Sequence, residues 1–372
     1  MPGSRKPVLV SGALGQLGRQ VTAILLSRGH RVIAVDLRTS ATLAAARDLT
    51  PAPGEPGELV PAFVNLLDEA ALRSLLAERP VSAVVHLAAS VAPSCYRNPA
   101  AARRVNVDGT ANLVTAVSAL ATPPMFVQAS STAVYGPRNP HRLTDLLTAD
   151  TPLAPVDCYG THKVAAERIV AGSGLPHAIL RLAGIVSPDG VRMLDPDYFV
   201  LLRATPRDNR VHTVDVRDAA LAFANAAEST TGAQGRTLLI GGGESYRFRQ
   251  WEIQDDMMRA LGVGALGPSA FLPGDPDDDR GWGLTDWLDT AEAERILGFQ
   301  RHTWDETRTW VAGSLGRLSI ATRASGPVLR VALRGFLAAQ RRWEHRGGYA
   351  DPWALISAKY GIAALATGAV AT

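Results

Sequence analysis

The stretch Val8-Leu-Val-Ser-Gly12-Ala-Leu-Gly15-Gln-Leu-Gly18 constrains this chain more than any other. Its three glycines, each three residues apart, lie between a short apolar run, Val8–Val10, and a helix-length segment, Gln16–Arg28. Glycine there permits a tight turn, lets the backbone approach a pyrophosphate, and allows a helix to pack closely on a strand. The positive N-terminal end of the helix then faces the phosphates. A second apolar run, Arg31–Val35, ends at Asp36. That carboxylate can accept hydrogen bonds from ribose hydroxyls and repels a 2′-phosphate, which favours NAD as cofactor. Arg38, two residues on, can pair with a 2′-phosphate and keeps NADP open. The plainer reading is a glycine-rich turn without a ligand; the strand–turn–helix context argues against it.

Further strand-like runs follow at Ala62–Val64, Ala83–Leu87, Met125–Gln128 and Ala178–Leu182, with helical patterns at Glu69–Glu78, Ala100–Leu120 and Tyr159–Ala171 between them. Such alternation predicts an α/β fold, a doubly wound parallel sheet covered on both faces. Thr50–Gly57 reads as a surface insertion. After Arg181 the alternation fails: Gly184–Arg210 and Gly241–Asp289 are loop-rich, with a short helix at Gln250–Leu261 and a helix start at Asp289-Thr-Ala-Glu292, the aspartate capping. The expected organisation is a nucleotide-binding domain over 1–183, its sheet completed by about 209–240. A smaller discontinuous substrate lobe takes 184–208 and 241–300, and a helical extension takes 301–372.

Composition narrows the function classes. With 372 residues, 47% of them hydrophobic, the chain can bury a sizeable core and is not mostly disordered. A formal charge of +3 is too small an excess to indicate a nucleic-acid partner. Two cysteines, Cys95 and Cys158, cannot form a disulfide framework and suggest a reducing, cytoplasmic setting, with Cys158 read as packing. No apolar run approaches the ~20 residues that span a bilayer. The leader-like Arg5, Lys6 and apolar stretch run straight into the glycine motif, which argues against a signal peptide.

Lysine is scarce: Lys6, Lys163 and Lys359 are the only ones. One of them lies in Tyr159-Gly-Thr-His-Lys163, which puts a phenol and an ammonium on one helix face. A phenol, with its pKa of about 10, is a poor acid/base at neutral pH unless a cation stabilises its phenolate. Lysine's compact ammonium suits that role and can still reach a ribose hydroxyl. Upstream, Gln128-Ala-Ser-Ser131 ends an apolar strand in hydroxyls, which at the carboxyl end of a parallel strand face the cofactor crevice. An exposed helical pair is the bland alternative for Tyr159 and Lys163; the glycine motif, Ser131 and the rarity of lysine outweigh it.

With these segments together, the chain resembles an extended short-chain dehydrogenase/reductase of the NAD-dependent epimerase/dehydratase group, over about Lys6 to Gly298. The resemblance implies a Rossmann domain and a cofactor site built from Gly12, Gly15, Gln16, Leu17, Gly18, Asp36 and Arg38. Asn65 and Leu66 stand where the family has its adenine contact. Val85-His-Leu87-Ala88-Ala89 corresponds to the strand end along the cofactor, and Asn106 to the amide that supports neighbouring strand ends. Ser131, Tyr159 and Lys163 match the catalytic triad, with Tyr159 and Lys163 also touching the cofactor. His86 and His212 are expected to be structural. The implied chemistry is hydride transfer to nicotinamide with Tyr159 as acid/base on a hydroxyl or keto substrate of the nucleotide-sugar type. The rival enzyme reading is a dehydrogenase or reductase of an apolar alcohol or ketone, sterol-like or polyketide-like. A non-catalytic NAD(P)-sensing regulator is the third; the intact triad argues against it. A helix-pair homodimer is common in the family.

Departures from the pattern fall on the substrate side. Where sugar-nucleotide members carry Arg-x-x-Asn, this chain reads Arg181-Leu-Ala-Gly184, and Ile185-Val-Ser-Pro-Asp189 replaces the usual Tyr-Gly-Pro. Asp208 stands where an arginine is often found. Asp275-Pro-Asp-Asp-Asp279 reads as a solvated loop and not as a metal site. Trp282 and Trp287 are candidates for a pocket lining, with core burial equally open.

Near the carboxyl end, Pro327 is placed at a first helical position. Val328, Leu329, Ala332, Leu333, Phe336, Ala339 and Trp343 form one apolar arc, with Arg330, Arg334 and Arg341 opposite. The helix either docks on the main domain or a dimer partner, or makes a peripheral membrane contact through 327–346.

Overall fold

The computed structural model describes residues 6–189, 203–228, 232–314, 316, 318–344 and 347–366. Seven parallel strands form the main sheet: β1 (Val8–Ser11), β2 (Arg31–Asp36), β3 (Glu58–Phe63), β4 (Ala83–His86), β5 (Met125–Ser131), β6 (His177–Leu182) and β9 (Arg236–Ile240). Their spatial order is β3-β2-β1-β4-β5-β6-β9. The direction of winding reverses between β1 and β4, and this switch point opens a crevice at the carboxyl ends of the strands. The central strands are buried on both faces, which is why they read as continuous apolar runs.

Helices cover both sides. On one face α1 (Gln16–Ser27) and α8 (Val216–Glu228) share a core with Val10, Val85, Val127 and Leu180. On the other, α3 (Glu69–Glu78), α6 (Gly109–Ser118) and α7 (Cys158–Ala171) close over Leu9, Ile33, Val84 and Phe126. A smaller sheet, β10 (Arg247–Arg249), β8 (Arg210–Asp215) and β7 (Gly184–Val186), stands beyond the end of β6. Around it lie α9 (Gln250–Ala260), α10 (Ala291–Leu297) and α11 (Trp304–Gly313). α11 packs into this lobe: the Trp304 ring lies 4.8 Å from that of Phe248, and the Tyr246 hydroxyl donates to Thr303 O.

Several elements differ from the sequence reading. A helix α2 (Ser40–Leu49) precedes the Thr50–Gly57 insertion, capped by reciprocal bonds between Thr39 and Thr42. The expected helix Ala100–Leu120 is interrupted: α5 (Pro99–Arg103) leads through a π-helical turn, Arg104–Asp108, into α6, after a short α4 (Ser94–Arg97). Asp289 accepts from Ala291 N at 3.0 Å, but Thr290 is the capping position of α10, and Glu292 turns outward to Arg236. The loop-rich reading of Gly184–Arg210 falls in part on 190–202, outside the described residues; its start is the strand β7.

The C-terminal helix α12 (Leu318–Trp343) corrects two expectations. It starts before Pro327, which lies inside it. Its apolar residues also divide. Leu333 and Leu337 turn inward against Leu266, Ala270 and Phe271, while Val328, Phe336 and Trp343 face outward. The arginines line the seam with the lobe: Arg334 donates to Ser269 Oγ at 3.1 Å and Arg341 to Ala270 O. Their long stems carry the guanidinium groups to a serine hydroxyl and a backbone oxygen at the seam, so charge does not force that side into water. After α12 the chain crosses back. Ala350 N donates to Pro273 O (2.8 Å), α13 (Pro352–Tyr360) follows, and Ala366 N donates to Val156 O (2.9 Å).

Candidate active site

The glycine turn has the geometry its sequence requires. Gly12 adopts φ +68°, and a Cβ there would lie 2.8 Å from Ala88 N. A Cβ on Gly18 would meet Gly12 O at 2.0 Å, so α1 can approach β1 only with glycine at this position. α1 has Gly15 as its capping position, with no side-chain cap and no acid in the first turn. Its first backbone N–H groups are thus positioned for an anion. Asp36 closes β2 beside this turn, its carboxylate accepting from Leu14 N (3.0 Å) and Leu37 N (2.8 Å). Arg38 lies over the Phe63 ring at 5.3 Å. Leu87 N donates to Ser11 O, which lays Leu87–Ala89 along the turn. A cavity of about 280 Å³ opens at the start of α1, lined in part by Gln16, Gln20, Ser187 and Trp310; Gln16 bonds Ser187 across it. These features fit a dinucleotide.

Asn106 lies in the π turn and bonds Ser90 in both senses, accepting from its N–H (2.7 Å) and donating to its carbonyl (2.8 Å). It is the buried, backbone-satisfying amide the sequence reading proposed. Asn65 is exposed and accepts from Leu67 N, while Leu66 is buried with its carbonyl held by Asn112.

The three catalytic candidates converge at the end of β5. Asp157 caps α7 by accepting from Gly160 N (2.8 Å). A Cβ on Gly160 would lie 2.4 Å from Ala133 O, so glycine lets the start of α7 press against the turn after β5. That contact brings the Tyr159 phenol beside the Ser131 hydroxyl, whose oxygen accepts from Ala133 N at 3.2 Å. Lys163 Nζ lies 5.8 Å from the Tyr159 ring centre and donates to Ala129 O at 2.9 Å. An ammonium has three protons, so this anchor leaves two for other partners.

Burial dominates the electrostatics. It pushes the Tyr159 phenol above its ordinary value, with Ser131 opposing. It pulls Lys163 down to about 8, against the attraction of Glu167. Burial thus disfavours the phenolate of Tyr159 and the cation of Lys163 alike. Glu167, one turn beyond Lys163, is a residue the sequence reading missed. It accepts from Ser130 Oγ (2.5 Å) and receives both arms of Arg181 at 2.9 and 2.7 Å. Its spacing of four from Lys163, and so eight from Tyr159, on the same helical face was the available signal.

The remaining candidates are structural. His86 bonds Ser11 (2.6 Å) and Thr110 (2.9 Å), and burial with the Lys163 charge lowers it to about 3. His212 pairs with Gly242 O and Leu288 N. Trp282 is fully buried, and Trp287 stacks under Arg210 at 4.7 Å. Arg142 pairs with Asp277 and Asp279 in the acidic loop, and among the described residues no group of three or more ligands could hold a metal.

One neighbour was not anticipated. The C-terminal strap, residues 350–366, joins the smaller lobe to the start of α7. Trp353 donates to Trp282 O (3.1 Å), and Leu365 bridges Asp157. Ile356 and Ala364 are buried with Cys95, Tyr96 and Cys158, and Tyr159, Trp353, Tyr360 and Leu365 pack against the same cluster. Both cysteines are free thiols here. The Tyr96 hydroxyl donates to Asp157 at 2.5 Å, and burial raises that carboxyl to about 6.

The NAD dependent epimerase/dehydratase family matches residues 8–241. UDP-glucose 4-epimerase 2 of Oryza sativa subsp. japonica is 35% identical over 172 residues, 45% of this chain and 41% of that one. The chain spans about half the length of the curated relatives it matches. Among solved structures, a putative epimerase from Burkholderia cenocepacia J2315 superposes with a TM-score of 0.62 at 24% identity, covering 87% of this chain and 100% of that one. A Bordetella bronchiseptica enzyme solved with NAD and UDP gives 0.66 at 21%, covering 85% and 97%. With more than half of its length matched by that family, the chain belongs to the NAD dependent epimerase/dehydratase family.

Proposed function

We propose that this protein is an NAD-dependent enzyme of epimerase/dehydratase type acting on a hydroxyl of a nucleotide sugar. The observation that carries this reading is the meeting of Ser131, Tyr159 and Lys163 at the end of β5, beside the glycine turn. Bound in the crevice, the nicotinamide would accept and return hydride. Ser131 holds the substrate oxygen through its hydroxyl, and Tyr159 moves the proton at that oxygen. Lys163, fixed by Ala129 O, orients the ribose and supplies positive charge when the phenol ionises. Tyr159 takes the hydroxyl's proton as hydride leaves, its phenolate supported by the Lys163 charge against the upward push of burial, and gives the same proton back to the keto oxygen as hydride returns. Asp36, at the end of β2, holds the adenosine ribose.

A second reading, oxidation or reduction of a more apolar alcohol or ketone, is favoured by one observation. The strap brings Trp353, Tyr360 and Leu365 to the cluster that also supports Tyr159. The two readings differ in net redox. An epimerase converts UDP-sugars with no lasting NADH, seen as new sugar resonances by NMR, whereas a dehydrogenase accumulates NADH stoichiometrically. For either, Tyr159→Phe should retain NAD binding and lower turnover by about 10²–10⁴-fold. Near-normal turnover in that variant would remove the assignment.

A further inference from the structure

Two side-chain contacts tie the first turn of α1 to a segment far away in sequence. Gln16 donates to Ser187 Oγ, and Arg19 donates to the Asp189 carboxylate as an ion pair. Ser187 and Asp189 follow β7, on the stretch that leaves the carboxyl end of β6. In the sheet β5 and β4 stand between β6 and β1, so this stretch passes their ends to reach α1. Gln16, Ser187 and Asp189 then line the cavity of about 280 Å³ at the start of α1.

Neither contact is needed to hold its element in place. α1 is already fixed through Val21, Leu25 and Leu26 in the main core, and β7 by its pairing with β8. The charge pattern also argues against a role in attracting the cofactor. α1 has no acid of its own in its first turn, yet the fold brings the Asp189 carboxylate to that end, where a diphosphate would meet repulsion. Arg19 cancels that charge, and in doing so does not offer its own to the phosphates. What the two contacts accomplish together is closure of the mouth above the first turn. The side chains of Arg19 and Asp189 remain 33% and 34% exposed, so water can compete for the ion pair and the closure can open.

We propose that Gln16–Ser187 and Arg19–Asp189 form a clasp that must open for NAD to enter or leave the turn at α1. The inference rests on the assignment of that turn to the cofactor and deepens the reading of the chemistry. An enzyme that returns its hydride within each turnover regenerates NAD in place and tolerates slow exchange, whereas a dehydrogenase must release NADH in every cycle. Stopped-flow fluorescence of NADH tests the clasp without any substrate: association on mixing, and dissociation on displacement by excess NAD. Ser187→Ala removes one contact without changing charge, and Asp189→Asn removes the other at constant size. Each should speed dissociation about threefold, and the double variant about tenfold, with circular dichroism as in the parent. In Ser187→Ala association should rise by the same factor, leaving Kd within about twofold, because a gate alters both rates together. Unchanged rates would overturn the proposal, as would a faster dissociation in Ser187→Ala matched by an equal rise in Kd, which marks a direct contact with the cofactor. Slower dissociation from Asp189→Asn would also overturn it, by showing that Arg19, once released, holds the diphosphate. A parent that binds no NADH would remove the cofactor assignment itself and the clasp with it.

Discussion

Replacing Lys163 by methionine should make the fold more stable and the enzyme inactive, and pH gives the mechanism away. Burial lowers this ammonium from 10.5 to about 8. At 1.36 kcal/mol per pH unit, keeping it charged in the fold costs about 3 kcal/mol at pH 7. The sign follows from proton affinity. The unfolded chain binds this proton more tightly, so the lysine's contribution is fully favourable only above 10.5 and is lost as pH falls through 8. Methionine removes the charge but leaves Ala129 O without its donor, a loss of about 1 kcal/mol. The variant should therefore exceed the parent by about 2 kcal/mol at pH 7, and that advantage should shrink by about 2 kcal/mol by pH 10. Guanidinium unfolding of both proteins at a series of pH values measures this directly. A difference between them that does not vary with pH would show that the ammonium is not held at a cost in the folded site, and the argument would fail.

Other outcomes follow from close contacts. Gly18→Ala places a methyl 2.0 Å from Gly12 O, so α1 must back away from β1; NAD binding measured by calorimetry should be lost, and retained affinity would refute the close-packing argument. Deleting 351–372 removes Ile356 and Ala364 from the cluster around Cys95 and Cys158. Those thiols, 0% and 6% exposed, should be inert to a thiol reagent in the native parent and reactive in the truncated protein, with the main sheet still folded by circular dichroism. Equal reactivity in both would show that the strap does not seal that cluster.

The main sheet and its cofactor turn were legible because their signals are local. A strand buried on both faces must be apolar along its whole length, and a glycine needed for close approach cannot be disguised. Tyr159 and Lys163 were readable for the same reason, since helical spacing alone puts them on one face. Elements held by other forces were not readable. α2 buries only alanines, Ala45 and Ala46, and its cap uses Thr39 and Thr42 in place of the usual serine–glutamate pattern. The π turn at Arg104–Asp108 holds Asn106 on Ser90 through an exchange no local pattern announces. α12 has more apolar surface than one contact uses, so a helical wheel could not say which part turns inward. The strap docks beside α7 through one main-chain bond, Ala366 N to Val156 O, and an apolar cluster whose members lie far apart in sequence, which no local pattern announces.

That strap separates two things a chain of this kind must inherit. The proton-handling groups and the nucleotide turn all lie within the first half of the sequence, locked into a sheet that tolerates little change. The wall beside them arrives from the far end, contributes no strand to that sheet, and can be rewritten without disturbing it. Change in that tail can thus alter the packing behind Tyr159 while the sheet keeps its form.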